Sequence, residues 1–216
     1  MPRAKQRTAE LRDRVLQVAV GMLADDGVAG FTTRRVAEQA DTSTPAVYEL
    51  FGDKAGLVRE MFFEGFRRLR RRFDKLGETD DPRADLVAVI ATLRTFIGEN
   101  PVLSEVMFSR PFADFDPGPS GLKAGNAVRL FIVGRVRRCL DAGVVSGDEA
   151  DIAHVLVSMT QGLAATEMAG WLGTSKASVN RRWGLAVGAL LDGLGAGGAR
   201  SVPRRASSPR RAGRSR

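Results

Sequence analysis

Phe31-Thr-Thr-Arg-Arg-Val-Ala-Glu-Gln-Ala-Asp-Thr-Ser-Thr-Pro-Ala-Val-Tyr-Glu-Leu-Phe-Gly-Asp-Lys-Ala-Gly-Leu57 reads as two short helices joined by a tight turn. Thr32 is suited to cap the first, because its hydroxyl can accept from an orphan backbone N–H. Val36, Ala37 and Ala40 then share one face. Asp41-Thr42-Ser43 makes the turn, Thr44 is expected to cap the second helix, and Pro45 suits a first position where no N–H is needed. Val47, Leu50 and Phe51 point inward, and Asp53 caps a longer helix beyond. Two short helices on a three-residue turn, packed on a preceding helix, form a helix-turn-helix.

In such a unit the second helix enters the major groove. Spacing places Thr44, Ala46 and Glu49 outward, with Pro45 at the helix start. Hydroxyls on Thr33, Ser43 and Tyr48 and cations on Arg34 and Lys54 suit phosphate. Lys54 opens the next helix, whose free N–H groups and dipole already favour an anion.

The preceding helix is expected from Thr8 to about Asp25. A basic start followed by apolar residues imitates a secretory leader. Leu11, Val15, Val18, Ala19 and Met22 nevertheless fall on a helical stripe, so an amphipathic first helix and a cytoplasmic protein are expected. Downstream of Asp53, Val58, Phe62, Phe66, Leu69, Phe73 and Leu76 line one face, with the basic Arg67–Lys75 stretch as a solvated face. Two to four helices follow, broken at Asp81-Pro82, Asn100-Pro101 and Pro111–Gly121. Two more run near Asp148–Gly170 and Ser175–Leu194. No strand alternation or internal repeat interrupts this pattern, and the fold class is all-α.

The 216 residues carry a net charge of +8, but unevenly. Arg200, Arg204, Arg205, Arg210, Arg211, Arg214 and Arg216 crowd the C-terminus, and without them the basic residues fall to 26 against 25 acidic ones. A nucleic-acid partner therefore rests on local features rather than on a generally basic body. Cys139 is the single cysteine and His154 the single histidine, so a disulfide framework and a His-rich metal site are excluded. No apolar run approaches a membrane-spanning length, and no membrane partner is expected. Gly193-Leu-Gly195-Ala-Gly-Gly198 spells a dinucleotide fingerprint, but such a site needs a strand before it and a helix after it. It follows a helix and precedes an Arg-rich tail, so it reads as a helix stop. The chain shows no paired carboxylates, nucleophile elbow, metal-ligand spacing or phosphate loop. No cofactor and no enzymatic role are expected.

Asp26-Gly27, Gly30-Phe31-Thr32, Val36-Ala37-x-x-Ala40, Ser43, Val47-Tyr48-x-x-Phe51 and Lys54-x-x-Leu57 together resemble the TetR family of one-component bacterial transcriptional regulators. The close match covers roughly the first sixty residues. Asp41 stands where the family commonly has the turn glycine, and Asp tolerates left-handed backbone. Pro45 and Ala46 replace a frequent Gly and Thr. Glu49 replaces a common His and could accept from cytosine N4. Gln161-Gly162 and Trp171 are similar to the subgroup with a Trp/His-Gly signature, Gln standing where His is usual.

The resemblance implies a helix-turn-helix head over 1–56 and a body of about six helices over 57–196 for ligand binding and dimerisation. An Arg-rich tail over 197–216 is expected to be disordered. It implies a homodimeric repressor that releases a palindromic double-stranded operator when a small apolar or amphipathic effector binds. Phe62, Phe66, Phe96, Met107, Phe108, Phe131, Met159, Met168 and Trp171 are large apolar residues placed to line the ligand pocket. Asn126, His154, Thr160, Gln161 and Thr166 are polar candidates to orient the ligand. Ile152, Val155, Met159, Gly162, Leu163, Val179, Trp183, Ala186, Val187 and Leu190 are expected to form the dimer interface, with small residues permitting close helix approach. Two alternatives are a small helical enzyme acting on an apolar substrate and a non-specific nucleic-acid binder driven by the tail.

Overall fold

The computed structural model describes residues 2–109 and 115–195, with the side chains of residues 2–7 and of Ser120 outside the description. Nine helices, and no strand, occur among the described residues: α1 (Pro2–Gly30), α2 (Thr33–Gln39), α3 (Thr44–Phe51), α4 (Lys54–Phe73), α5 (Pro82–Glu99), α6 (Pro101–Phe108), α7 (Gly118–Asp141), α8 (Glu149–Met168) and α9 (Lys176–Gly193). Three make a head and six make a body, the division expected from sequence. The expected boundary at 56/57 falls inside the first turn of α4, and residues 197–216 lie outside the described residues.

Short polar residues punctuate the chain. Thr32, Asp53, Asp81 and Asp148 each accept from the backbone of the helix they precede, and Ser175 forms a capping box with Ser178. Pro82 and Pro101 open α5 and α6, where their missing N–H costs nothing. The chain turns by 111° between these two helices, and no single helix among the described residues is long and apolar enough to cross a membrane. α1 extends past the expected end at Asp25. Its helical geometry breaks at Gly27, whose φ of 65° suits glycine. α3 is capped by Ser43 rather than Thr44: Ser43 holds extended backbone, and its hydroxyl accepts from Ala46 N at 3.3 Å. Either hydroxyl is chemically competent, and the compact turn before it decides which one is in register.

The buried faces follow the helical stripes. Val15, Ala19 and Met22 of α1 meet Val36, Ala37, Ala40, Val47 and Phe51 in the head. Val58, Phe62, Phe66, Leu69 and Phe73 carry the same core down α4 into the body. There α4 packs against α7 and α6, α5 against α8 and α7, and α7 against α8. Gly65 lets α6 approach α4, since a Cβ there would lie 2.4 Å from Met107 Sδ. The basic face of α4 is neutralised locally. Arg67, Arg68 and Arg71 surround Glu64, Arg70 pairs with Asp74, and Arg72 pairs with Glu99. Burial pushes the Glu64 carboxyl up, but the three guanidiniums outweigh it and hold the group below its ordinary value.

One polar knot locks the α4–α5 connection to α7. The buried Asp85 carboxylate accepts from Thr79 N at 3.0 Å, from Thr79 Oγ1 at 2.8 Å and from Arg138. Arg135, also buried, donates to Leu76 O at 3.0 Å and faces Glu78 at 3.2 Å. The Thr79 backbone N–H first, with Arg138 and the Thr79 hydroxyl, draws Asp85 down from 3.8 to about 2 against the effect of burial. A depressed carboxylate stabilises the fold fully above its unfolded value, and that contribution disappears as pH falls through the folded value. Asp85→Asn should therefore lower Tm at pH 7, and the difference from the wild type should shrink between pH 4 and pH 2. Thermal melts across that range check the sign.

Candidate nucleic-acid interface and the cavity beneath it

The turn between α2 and α3 is built on backbone geometry. Asp41, the one non-glycine residue with positive φ among the described residues, sits at 49°. That conformation lets Asp41 N and Thr42 N reach back to Glu38 O and Ala37 O at 3.3 and 3.0 Å. The chain leaves in extended form through Ser43, so α3 starts at once and crosses α2. Val47 and Phe51 are buried, and Leu50 is half-buried.

The solvent face of α3 is Pro45, Tyr48 and Glu49, with Tyr48 46% exposed. Thr44 and Ala46, expected outward, are half-buried on the flanks. One turn of helix separates Thr44 from Val47 and Tyr48, so its angular position falls between the core and the outward face. Ser43 is exposed beside its own cap bond. Arg34 is exposed and paired with Glu38 at 2.9 Å, whereas Thr33 is buried, leaving its hydroxyl little access to a phosphate. Lys54 is exposed at the first position of α4, its Nζ 5.4 Å from the Phe31 ring centroid. That contact aims the ammonium along the head, beside the N-terminus of α4. Pro45, Tyr48 and Glu49 are thus exposed on α3, and Lys54 is exposed at the start of the next helix.

Two arginines that sequence reasoning passed over hold this surface rigid. Arg35 clamps the end of α1, donating to Gly30 O at 2.9 Å and pairing with Asp26 at 2.6 Å. Arg12 reaches from α1 across the head. It donates to Leu50 O of α3 at 3.1 Å, pairs with Glu60 of α4 at 2.6 Å and lies 4.9 Å above the Phe51 ring. A cation abutting the apolar stripe of the first helix was a visible signal, but its partners lie 38 and 48 residues away and have no local pattern. α3 and α4 also meet closely. A Cβ on Gly56 would fall 1.8 Å from Phe51 O, so only glycine fits.

Below the head, the body encloses a cavity of about 260 Å³ between α4, α5, α6, α7 and α8. Phe66, Leu69, Leu93, Val128, Ile132 and Val157 form apolar walls, and Arg129, His154, Ser158 and Gln161 stand around it. A second hollow of about 340 Å³ shares Phe108 and Gln161 with the first and is bordered by Ser104, whose buried hydroxyl has no partner among the described residues. A wider groove of about 690 Å³ runs between α5, α8 and α9. Within it, Arg94 grips Glu167 at 2.7 and 2.8 Å and lies over Trp183, whose Nε1 donates to Glu167 at 2.7 Å.

Of the residues expected to line a pocket, Phe66 and Phe108 border the 260 Å³ cavity. Phe62 is buried behind Phe66 at 4.8 Å between ring centroids. Phe96 is buried beneath Arg72, Met107 packs beside Gly65, and Phe131 stacks on Phe73 at 5.1 Å. Met159 is half-buried, Met168, 52% exposed, borders both the second hollow and the wider groove, and Trp171 is 86% exposed just past α8. Of the polar candidates, His154 and Gln161 reach the cavity. Asn126 accepts from Arg129, and Thr160 and Thr166 are turned to their own helix backbone. Among the residues expected between subunits, Ile152, Trp183 and Val187 are buried within their own chain. Val155 and Gly162 are exposed, and Met159, Leu163, Val179, Ala186 and Leu190 are half-buried. Leu185, 73% exposed on α9, is an apolar residue the stripes did not single out.

Comparison with known proteins covers both parts of the chain. A family model described as "Bacterial regulatory proteins, tetR family" matches residues 15–61, and one described as "Tetracyclin repressor-like, C-terminal domain" matches 86–190. An HTH-type transcriptional regulator of Mycobacterium tuberculosis is 23% identical over 67% of this chain, which spans 62% of the length of that relative. Among solved structures, a Rhodococcus sp. RHA1 protein of unknown function superposes with a TM-score of 0.74 at 26% identity, covering 86% of this chain and 95% of that one. A regulator from Marinobacter aquaeolei VT8 gives 0.71 at 17% identity, covering 88% and 98%. The TetR-family regulator PfmR from Thermus thermophilus gives 0.66 at 20% identity, covering 84% and 98%.

The turn geometry sets a direct test. Asp41→Gly should leave Tm unchanged or raise it slightly, because glycine adopts positive φ without penalty. Asp41→Val should lose about 1–2 kcal/mol, the cost of left-handed backbone for a branched residue. Gly56→Ala should lose a further about 1–3 kcal/mol through the clash with Phe51 O. Urea unfolding of the three variants measures each difference.

Proposed function

The chain belongs to the tetR family of bacterial transcriptional regulators, and from that premise we propose a cytoplasmic, homodimeric repressor that releases a palindromic operator when a small apolar or amphipathic effector fills the α4–α8 cavity. The observation that carries this reading is the course of α4. One unbroken helix starts at Lys54 beside α3 and places Phe66 and Leu69 in the cavity wall. That span is about 20 Å at 1.5 Å per residue. A displacement of the wall is therefore also a displacement of the head.

α8 and α9 support the dimer. Val155, Met159, Gly162 and Leu163 lie on one exposed or half-exposed face of α8, and Leu185 and Ala189 lie on the exposed face of α9. Pairing these faces about a twofold axis buries the apolar surface and sets two copies of α3 about 34–36 Å apart, one turn of DNA. In each half, Tyr48 and Lys54 contact phosphate while Pro45, Ala46 and Glu49 approach base edges, with Thr44 and Ser43 at the groove margin and Arg34 beside it. The effector shifts the equilibrium between head separations only by as much as its affinity differs between them.

Selection of bound duplexes from a random pool, followed by anisotropy with the selected site, tests this reading. Tyr48→Ala and Lys54→Ala should each weaken binding roughly tenfold on every duplex, and Lys54→Ala should reduce the salt slope by about 0.9. Glu49→Ala should instead change the preferred bases. Unchanged affinity in both alanine variants refutes the phosphate roles. A chain truncated after Gly195 that releases all duplexes alike would transfer DNA binding to the tail.

A further inference from the structure

The cavity has an apolar interior and a mouth that carries the Arg129 guanidinium. Phe66, Leu93, Val128, Ile132 and Val157 line its inside, whereas Arg129 of α7 and His154 and Ser158 of α8 are exposed where it opens. Arg129 donates through Nε to Asn126 on its own helix at 3.1 Å, and among the described residues no carboxylate lies within ion-pair distance of it. Arg135, Arg137 and Arg138, on the same helix, each have such a partner. The His154 Nδ1 lies 2.7 Å from Ala150 O. A carbonyl only accepts, so Nδ1 carries the hydrogen, and in the neutral ring Nε2 is then an acceptor, open to a donor rather than to a carboxylate. Along the mouth, α7 has no acid before Asp141, and α8 has none between Asp151 and Glu167. Asp151 lies a turn nearer the start of α8, and Glu149 beside it is held by Arg137. On the α6 side, Glu105 borders the adjoining hollow rather than this one.

A positively charged mouth on an apolar chamber selects a molecule with the opposite polarity. We propose that the cavity takes an amphipathic carboxylate, its apolar part among the α4–α8 side chains and its carboxylate at the mouth on the Arg129 guanidinium, with the Ser158 hydroxyl as a further donor. This rests on the reading of the cavity as the effector site and adds the chemical class. A guanidinium presents parallel N–H groups that match the two oxygens of a carboxylate, which neither an alcohol nor an amine supplies.

Calorimetric titration of the full chain with sodium octanoate, octan-1-ol and octylamine tests the class. Octanoate should bind at least about tenfold more tightly than octanol, and octylamine more weakly than either. Arg129→Gln, at an exposed position, should reduce octanoate to the octanol level and leave octanol unchanged. Gly125→Leu should abolish all binding, since Gly125 faces the Phe66 ring across the cavity and a Cβ there already makes contact at 3.6 Å. If that variant fails to fold, Ser158→Trp closes the mouth instead. Equal affinity for octanoate and octanol, preference for the amine, or an unchanged octanoate preference in Arg129→Gln overturns the carboxylate assignment while leaving the cavity as a site. Binding that survives both blocking variants, or no binding of any of the three compounds, overturns the cavity itself and this proposal with it.

Discussion

Arg12 of α1 reaches across to both α3 and α4. Its guanidinium meets a carbonyl at the end of α3, a carboxylate on α4 and the face of Phe51 between them. Each partner restricts a different degree of freedom. Apolar packing of Val47 and Phe51 keeps α3 against the head but is non-directional and tolerates sliding and rotation. The directional bonds fix where along α4 the second short helix stands. Glu60, held in turn by Arg67, is mostly shielded from water, so the pair is screened less than a surface ion pair. The head is mounted on α4 by this joint and by the glycine contact at Gly56, and not by burial alone.

That mounting gives the body its leverage. α4 is long enough to pass from the DNA-facing surface into the cavity wall without a break, and it is braced on its other faces by α6 and α7. The body is fastened in its turn by the Asp85–Arg138–Thr79 knot, which ties the connection after α4 to α7. α9 is attached differently, through Trp183 to Glu167, Asn180 to Arg94 and Asp192 to Arg83, and leaves an apolar face open.

What the sequence disclosed was whatever is local. Thr32 and Asp53 announced helix starts because capping acts over three residues. Asp41 announced the turn because few residues tolerate its backbone. The stripe on α4 was legible because burial repeats with the helical period. The cap of α3 shifted by one residue, from Thr44 to Ser43, because adjacent hydroxyls are chemically alike and only the turn distinguishes them. Cavity walls were not legible. Phe62, Phe66, Phe96 and Phe131 carry the same periodic signal, yet Phe66 borders the cavity while the other three fill core or stack on neighbours. Arg12, Arg129 and Asp85 were equally silent, since their meaning lies in the presence or absence of partners far away in the chain.

The account stands most directly on the Arg12 joint. Hydrogen exchange of Arg12→Met, a substitution that keeps length and apolar reach, measures it. Amides of α2 and α3 should exchange faster, by the roughly tenfold or more expected for loss of charge-assisted hydrogen bonds of about 1.5–3 kcal/mol, while α5, α7 and α8 keep their protection. Unchanged protection in α2 and α3, or an equal loss across the whole body, would contradict a head held in place by this guanidinium.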